Sequence, residues 1–456
     1  MDAVEVEIVR REVEALAGEL AQERWRHVAG LEGEPSLERI FRAHSRAAHR
    51  DTVAALRASG QQELAARAAE LRVERAAATE EEAWRAAEAR AVVHGPDGNQ
   101  PLGTAEIAIL GERRRDRRLA LGQAVAEAVS RVAAPREAAA EARARARAEM
   151  GLAPDWELVV EADDLLAASD DAYEDVLAWL ARREVGLRPG PAGDLERADL
   201  LHLISLPGQA RWFLGGMLPV VLRGALERLG LDIGRIRIEE TDRPAQRPGA
   251  HALGRRVSWR RQGGAADYLG LFRAAGSALA DALHPAPGDP VFASAFGWLV
   301  SGLLLEPLFL GRELRVERTR APDLVRALAL RGLFTLRTSA AALRVAAEVE
   351  RGSSGASWRA AHREALSGAA LAAWPDGLAA RDSDGAAHRA FLLGAAWAAR
   401  IQRDLRQRLD EDWWRNPRAA AVLGGLLAAG RAGEEKQRPP LAEAAGALVG
   451  QLSSGG

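Results

Sequence analysis

The stretch from Gly263 to Leu283, GGAADYLGLFRAAGSALADAL, constrains this chain more than any other. Leu269, Phe272, Leu279 and Leu283, with Ala275, Ala278 and Ala282 between them, recur at three- and four-residue intervals, the period of an amphipathic helix. Gly263 and Gly264 precede the run and Pro285 follows it, so its limits are marked. A second apolar run, Val291 to Leu310, comes next and has the length of a membrane span. It contains Ser294, Ser301, Glu306 and Pro307, which are costly in a bilayer, so it is expected as a core segment.

In a zincin, a helix of this outline carries H-E-x-x-H. Histidines at i and i+4 share one face and bind zinc, and the glutamate takes a proton from the metal-bound water. A third ligand must come from a neighbouring helix. The run DYLGLFRAAGSALADAL resembles the D-Y-x-x-L-F-H-E-x-G-H-A-L segment of the thimet-oligopeptidase and oligoendopeptidase F family, with Tyr268, Phe272, Gly276, Ala278 and Leu279 on the pattern. The first histidine position is Arg273, the glutamate Ala274 and the second histidine Ser277. Similarly, SAFGWLVSGLLLEP, Ser294 to Pro307, is similar to the family's E-x-F-A-F-L-F-E-x-L-L-x-D-P helix, with Ser294 at the third-ligand position and Ser301 at the second glutamate. AFLLGAAWAARIQRDLRQRLDEDWWRNP, Ala390 to Pro417, resembles the family's last long helix; it keeps Trp413 and Trp414 but has Phe391 for the tyrosine and Leu393 for the arginine.

These substitutions all remove function of one kind. Arginine has no lone pair to give and would repel a dication. Neutral serine and alanine do not make a zinc site of the nitrogen, sulfur or carboxylate kind. Family members use tyrosine hydroxyls near the last helix to stabilise an oxyanion, which needs a donor that Phe391 lacks. The only tyrosines are Tyr173 and Tyr268, so none follows this helix.

At 456 residues the chain is long enough for two lobes. Its 48% hydrophobic and 28% charged residues are those of a globular protein, and a net charge of −2 gives no reason to expect nucleic acid or an anionic membrane as partner. Without cysteine there are no disulfides, thiolate metal sites or cysteine nucleophiles. Lys436 is the one lysine, which argues against a P-loop, a kinase-type lysine or a pyridoxal Schiff base. The alanine and arginine bias fits a GC-rich, bacterial-like coding sequence. MDAVEVEIVRREVE is charged from its second residue and lacks a signal-peptide core, so a cytoplasmic location is expected.

Elsewhere, residues 3–28 form a predicted helix whose Val9, Val13, Leu16 and Leu20 pack on their own lobe. Further helices are expected over 37–48, 52–58, 61–93, 119–150 and 156–183, with a turn cluster at 94–103. The alternation in Thr104 to Leu110 predicts a short strand. Glu112 to Arg118, ERRRDRR, reads as a solvated helix start. Gly186 to Asp194 has the composition of a hinge and separates an N-terminal lobe (1–188) from a peptidase-like lobe (189–456) that holds the helix 265–284. Short strands are expected at 235–239 and 256–260, helices at 195–204, 217–229, 324–330 and 339–351, and a small, frayed helix after Glu434. GSSG at 352–355 is a loop, not a serine-hydrolase elbow. The histidines stand apart from one another, so no other metal site is apparent.

The resemblance implies a mainly α, two-lobed, zincin-like fold around a cleft, with a small β element beside the former active-site helix. It implies a catalytically inactive relative of the oligoendopeptidases, with no zinc because the zinc ligands are absent. The partner is then a peptide or an active paralogous peptidase. The former cleft would be lined by Arg273, Ser277, Ser294 and Ser301. There the Arg273 guanidinium either holds a carboxylate such as a peptide C-terminus, or pairs with a nearby acid in a closed cleft. The competing expectation is an active peptide hydrolase that uses an unrecognised site.

Overall fold

The computed structural model describes all residues except 32, 34, 35, 191, 192, 284–288, 353, 354, 383, 430–436 and 454–456. The chain begins with helix α1 (Ala3–Val28), closed at its start by a reciprocal bond pair between Asp2 and Glu5. The Val9, Val13, Leu16 and Leu20 stripe is buried in a local core with α2 (Leu37–Ala43), α3 (Arg50–Ala58) and α4 (Gln62–Ala76). A helix expected to run on to 93 stops at Ala77, where α5 (Ala78–Ala89) begins. The turn cluster forms an antiparallel hairpin, β1 (Val92–Gly95) and β2 (Gly98–Pro101).

The strand expected at 104–110 is instead part of helix α6 (Leu102–Gly111). Seven residues satisfy both periods; burial of Leu102, Ala105 and Ile109 selects the helical one. The expected helix 119–150 divides into α7 (Arg115–Arg131) and α8 (Ala134–Glu149), where Pro135 lies in the first turn and has no N–H to continue the ladder. Nor is the basic run wholly solvated. Arg118 is buried and bonds Asp199 through Nε (3.1 Å) and Nη2 (2.5 Å), tying α7 to α10 (Arg197–Ile204).

Between these two lies α9 (Trp156–Val185). Although it precedes the expected hinge, it buries Leu165, Tyr173 and Leu177 in the main core. After α10 come α11 (Leu218–Arg228) and a three-stranded sheet of β3 (Arg237–Glu240), β4 (Gly249–Leu253) and β5 (Arg256–Arg260). Strand β5 is central, parallel to β3 and antiparallel to β4, so β4 is an edge beside the next helix, α12 (Gly264–Leu283). The expected stop at Pro285 lies outside the described residues.

The second apolar run is broken. Helix α13 (Pro290–Gly302) and a 3-10 turn are followed by α14 (Pro307–Glu313) after a bend of 73°, at the point where Glu306 is extended and Pro307 has no N–H. Among the described residues no single helix is long and apolar enough to cross a membrane. In contrast, two expected segments merge into one helix, α15 (Ala321–Glu350); the hydroxyls of Thr335 and Thr338 bond back to the carbonyls of Arg331 and Phe334 inside it. The remaining helices are α16 (Gly355–Ala370), α17 (Gly385–Leu409), α18 (Pro417–Ala429) and α19 (Leu441–Ser453). Of these, α16 and α18 have no counterpart among the expected helices. Helix α19 is firmly packed, with Leu441, Ala445, Leu448 and Leu452 in the main core.

Candidate functional site

The site is built on α12. Its first turn is held by Asp267, whose carboxylate accepts from the backbone N–H of Gln262 (2.8 Å) and Gly263 (3.0 Å) and from the Trp259 indole (3.4 Å). Tyr268 donates to the Leu214 carbonyl at 2.9 Å and packs edge-on against Phe213; burial pushes its phenol up to about 12. It therefore serves as a structural anchor.

Two glycines bring the surrounding helices into backbone contact. A Cβ placed on Gly297 would lie 2.5 Å from Ser277 Oγ and 2.9 Å from the Arg273 carbonyl. One placed on Gly394 would lie 2.5 Å from Ser294 Oγ. Thus Ser277 sits in the α12–α13 contact and Ser294 in the α13–α17 contact. Neither lines the cavity beside α12. Ala274 is buried and offers only a methyl.

That cavity, of about 240 Å³, is bounded by α12, α13, α15, α19, β4 and Gln262. Arg273 and Ser301 line it, so the structure brings these two of the four expected ligand-binding residues to one space. The Arg273 guanidinium lies over the Trp298 ring, 3.8 Å from its centroid, and 5.3 Å from that of Phe391. Phe391 therefore supplies a ring face in place of a hydroxyl. Arg273 Nε is buried without a partner, and no described carboxylate pairs with this side chain. The alternative of a guanidinium neutralised by a neighbouring acid has no counterpart among the described residues.

Residues that sequence reasoning missed complete the lining. Arg331 of α15 faces the same cavity and donates through Nη1 to the Ile204 carbonyl at 2.8 Å. Burial, with Arg331 nearby, lowers Arg273 to about 9; burial lowers Arg331 to about 10, against the pull of Asp267. Both remain cations at neutral pH. Burial also lowers His251, on β4, to about 4, so it is neutral there. Its Nε2 lies 2.9 Å from the Pro248 carbonyl and must carry the proton, which leaves Nδ1 as the acceptor. Ser301 donates to the Trp298 carbonyl at 3.1 Å. Among the described residues no aspartate or glutamate lines the cavity. The sequence signal for Arg331 was a single charge inside the apolar run ALALRGLFTL.

Zinc does not fit the positions that the resemblance assigns to it. A guanidinium, a methyl and two hydroxyls are poor donors, and both hydroxyls are in helix–helix contacts. Among the described residues no group of three or more histidine, aspartate or glutamate side chains could hold a metal ion.

No protein-family model matches the sequence, and no curated protein does. Solved structures do match. PZ peptidase A with an inhibitor superposes with a TM-score of 0.58 at 12% identity, covering 95% of this chain and 86% of that one. A protein described as BsuCP gives 0.58 at 11% identity over 98% of both chains. A protein from Bacillus anthracis str. Ames described as an oligoendopeptidase F gives 0.55 at 12% identity, covering 100% of this chain and 86% of that one. At such identities the likeness is one of fold. The chain has the mainly helical oligoendopeptidase-type fold, with its small sheet beside α12.

Proposed function

We propose that this chain is a non-catalytic relative of the oligoendopeptidases that binds a carboxylate-bearing peptide in the cleft beside α12, with Arg273 as anchor. One observation carries this: the side chain at the first-histidine position is a guanidinium that lines a cavity and has no described acid beside it. A half-buried cation without a counterion is costly, and a ligand carboxylate would supply one. Arginine is suited to this role because it can grip both carboxylate oxygens at once. The unpartnered Arg273 Nε, the lack of a described acid able to act as base in the lining, and the poor fit for zinc all support binding without turnover.

The test has two arms. Calorimetry should show a short acetylated peptide acid binding the native protein at least about tenfold more tightly than the same peptide amide, a difference of about 1.4 kcal/mol. Arg273→Met should remove that preference. Incubation with a peptide library, with and without chelator, should show no cleavage; chelator-sensitive turnover would make the chain an active metallopeptidase with a site elsewhere. An active paralogous peptidase as partner is a separate proposal, to be tested by co-purification.

A further inference from the structure

Two guanidiniums share the cavity, and one carboxylate can neutralise only one of them. Arg273 has no described acceptor. Arg331 has one described hydrogen bond, to a neutral carbonyl, which leaves further N–H donors unengaged. They enter from two helices, α12 and α15, with no described acid in the lining. Arg331 adds to burial in lowering the tendency of Arg273 to hold its proton, as expected of a like charge nearby. The other polar groups that face them are His251, neutral and able to accept at Nδ1, and the side chains of Gln262, Ser301 and Thr335.

The volume limits what can fill this space. About 240 Å³ corresponds to roughly eight waters at the liquid share of about 30 Å³ each. That accommodates the last residue of a peptide or a short organic acid.

Building on the carboxylate-binding function above, we propose that the cavity selects a ligand carrying two carboxylates, one for Arg273 and one for Arg331. The shared chemistry is a short dicarboxylate: a peptide ending in aspartate or glutamate, or a free dicarboxylic acid. Trp298 and Phe391 hold the Arg273 guanidinium by its face, which pre-orients its edge for bidentate pairing. The second carboxylate is what separates this ligand from any ordinary C-terminus.

Calorimetry on the full chain with a matched series provides the test: acetyl-Ala-Ala-Glu and acetyl-Ala-Ala-Gln as free acids, their amides, and glutarate against butyrate. The Glu acid should bind at least about tenfold more tightly than the Gln acid. Arg331→Met should reduce this ratio to below about threefold while the preference for acid over amide remains. Because Arg331 also holds the Ile204 carbonyl, Arg331→Lys serves as a second variant, and the native-protein series does not depend on either. Tight glutarate binding supports a free dicarboxylate as the ligand; tight binding of the Glu peptide alone supports an acidic C-terminal residue. If the Glu and Gln acids bind alike and glutarate is no better than butyrate, the two-carboxylate proposal is overturned while single-carboxylate binding stands. If acids and amides bind alike, the earlier function fails as well.

Discussion

Two of the four arginines of helix α15 stand on opposite terms. Arg337 is buried and its donors are engaged: Nε bonds the Ala369 carbonyl (2.8 Å), Nη1 the Leu166 carbonyl (3.0 Å) and Ser169 Oγ (2.8 Å), and Nη2 Asp170 (2.7 Å). Arg331, less than two turns earlier, has one described bond, and Arg273 opposite it has none. Arg118 repeats the first pattern, paired twice with buried Asp199. A guanidinium that spends its donors on carbonyls and carboxylates holds helices together. One that keeps its donors in a cavity stabilises nothing by itself, and its sensible use is to meet an anion.

The largest effect should come from the saturated kind. Asp199→Ala strands Arg118 as a buried cation, and removing one partner of such a pair typically costs about 3–5 kcal/mol. Urea unfolding should therefore show a much lower midpoint. A loss under about 1 kcal/mol would place Arg118 among the weakly committed arginines and erase the contrast.

A second effect, of intermediate size, concerns His251, which shares the cavity. Its folded value of about 4 lies below the ordinary 6.5. As pH falls from about 6.5 to 4, the unfolded chain takes up a proton here and the folded chain does not, so stability is lost on acidification, by at most about 3 kcal/mol. His27 and His202 are also lowered, mainly by burial, and act in the same direction. They persist in His251→Gln, so the difference between native and variant pH profiles isolates His251. Parallel profiles would show that the cavity solvates this ring.

Much of this architecture was legible beforehand because it follows from local periodicity. The start of α12, strands β3 and β5 and the buried stripe of α1 follow from spacing and from glycines, whereas β4, the edge strand beside α12, has no counterpart among the expected strands. The failures have physical causes. Thr104 to Leu110 is too short for its pattern to choose between strand and helix, and the tertiary contact of Ile109 decides. Between the expected segments 324–330 and 339–351, Thr335 and Thr338 are weak helix formers, yet their hydroxyls are satisfied inside α15. For the site, the family pattern assigned Arg273, Ser277, Ser294 and Ser301 to the cleft; Arg273 and Ser301 line the cavity, while Ser277 and Ser294 lie in helix–helix contacts. Which side of a helix meets a neighbour depends on where Gly297 and Gly394 admit it, and a single sequence does not show that. Arg331 lies far along the chain from α12 and became a partner only through the packing of α15.

The smallest effect is the most diagnostic, because its sign is opposite. In Arg273→Met the chain loses a cation that has no described acid and whose Nε is buried without a partner. Replacing buried charges by well-packed apolar groups is often neutral or stabilising by about 1–4 kcal/mol. Against this stands the loss of the stacking on Trp298, about 0.5–2 kcal/mol, part of which the methionine sulfur would restore. The two terms nearly cancel, so unfolding in the absence of ligand should give a net change between no effect and a gain of about 1 kcal/mol. Added glutarate should raise the unfolding midpoint of the native protein but not that of the variant, since only a binding-competent folded state is stabilised by mass action. A loss greater than about 2 kcal/mol without ligand would place Arg273 with Arg118 and Arg337 as a structural tie, and its bare guanidinium would no longer point to an anion.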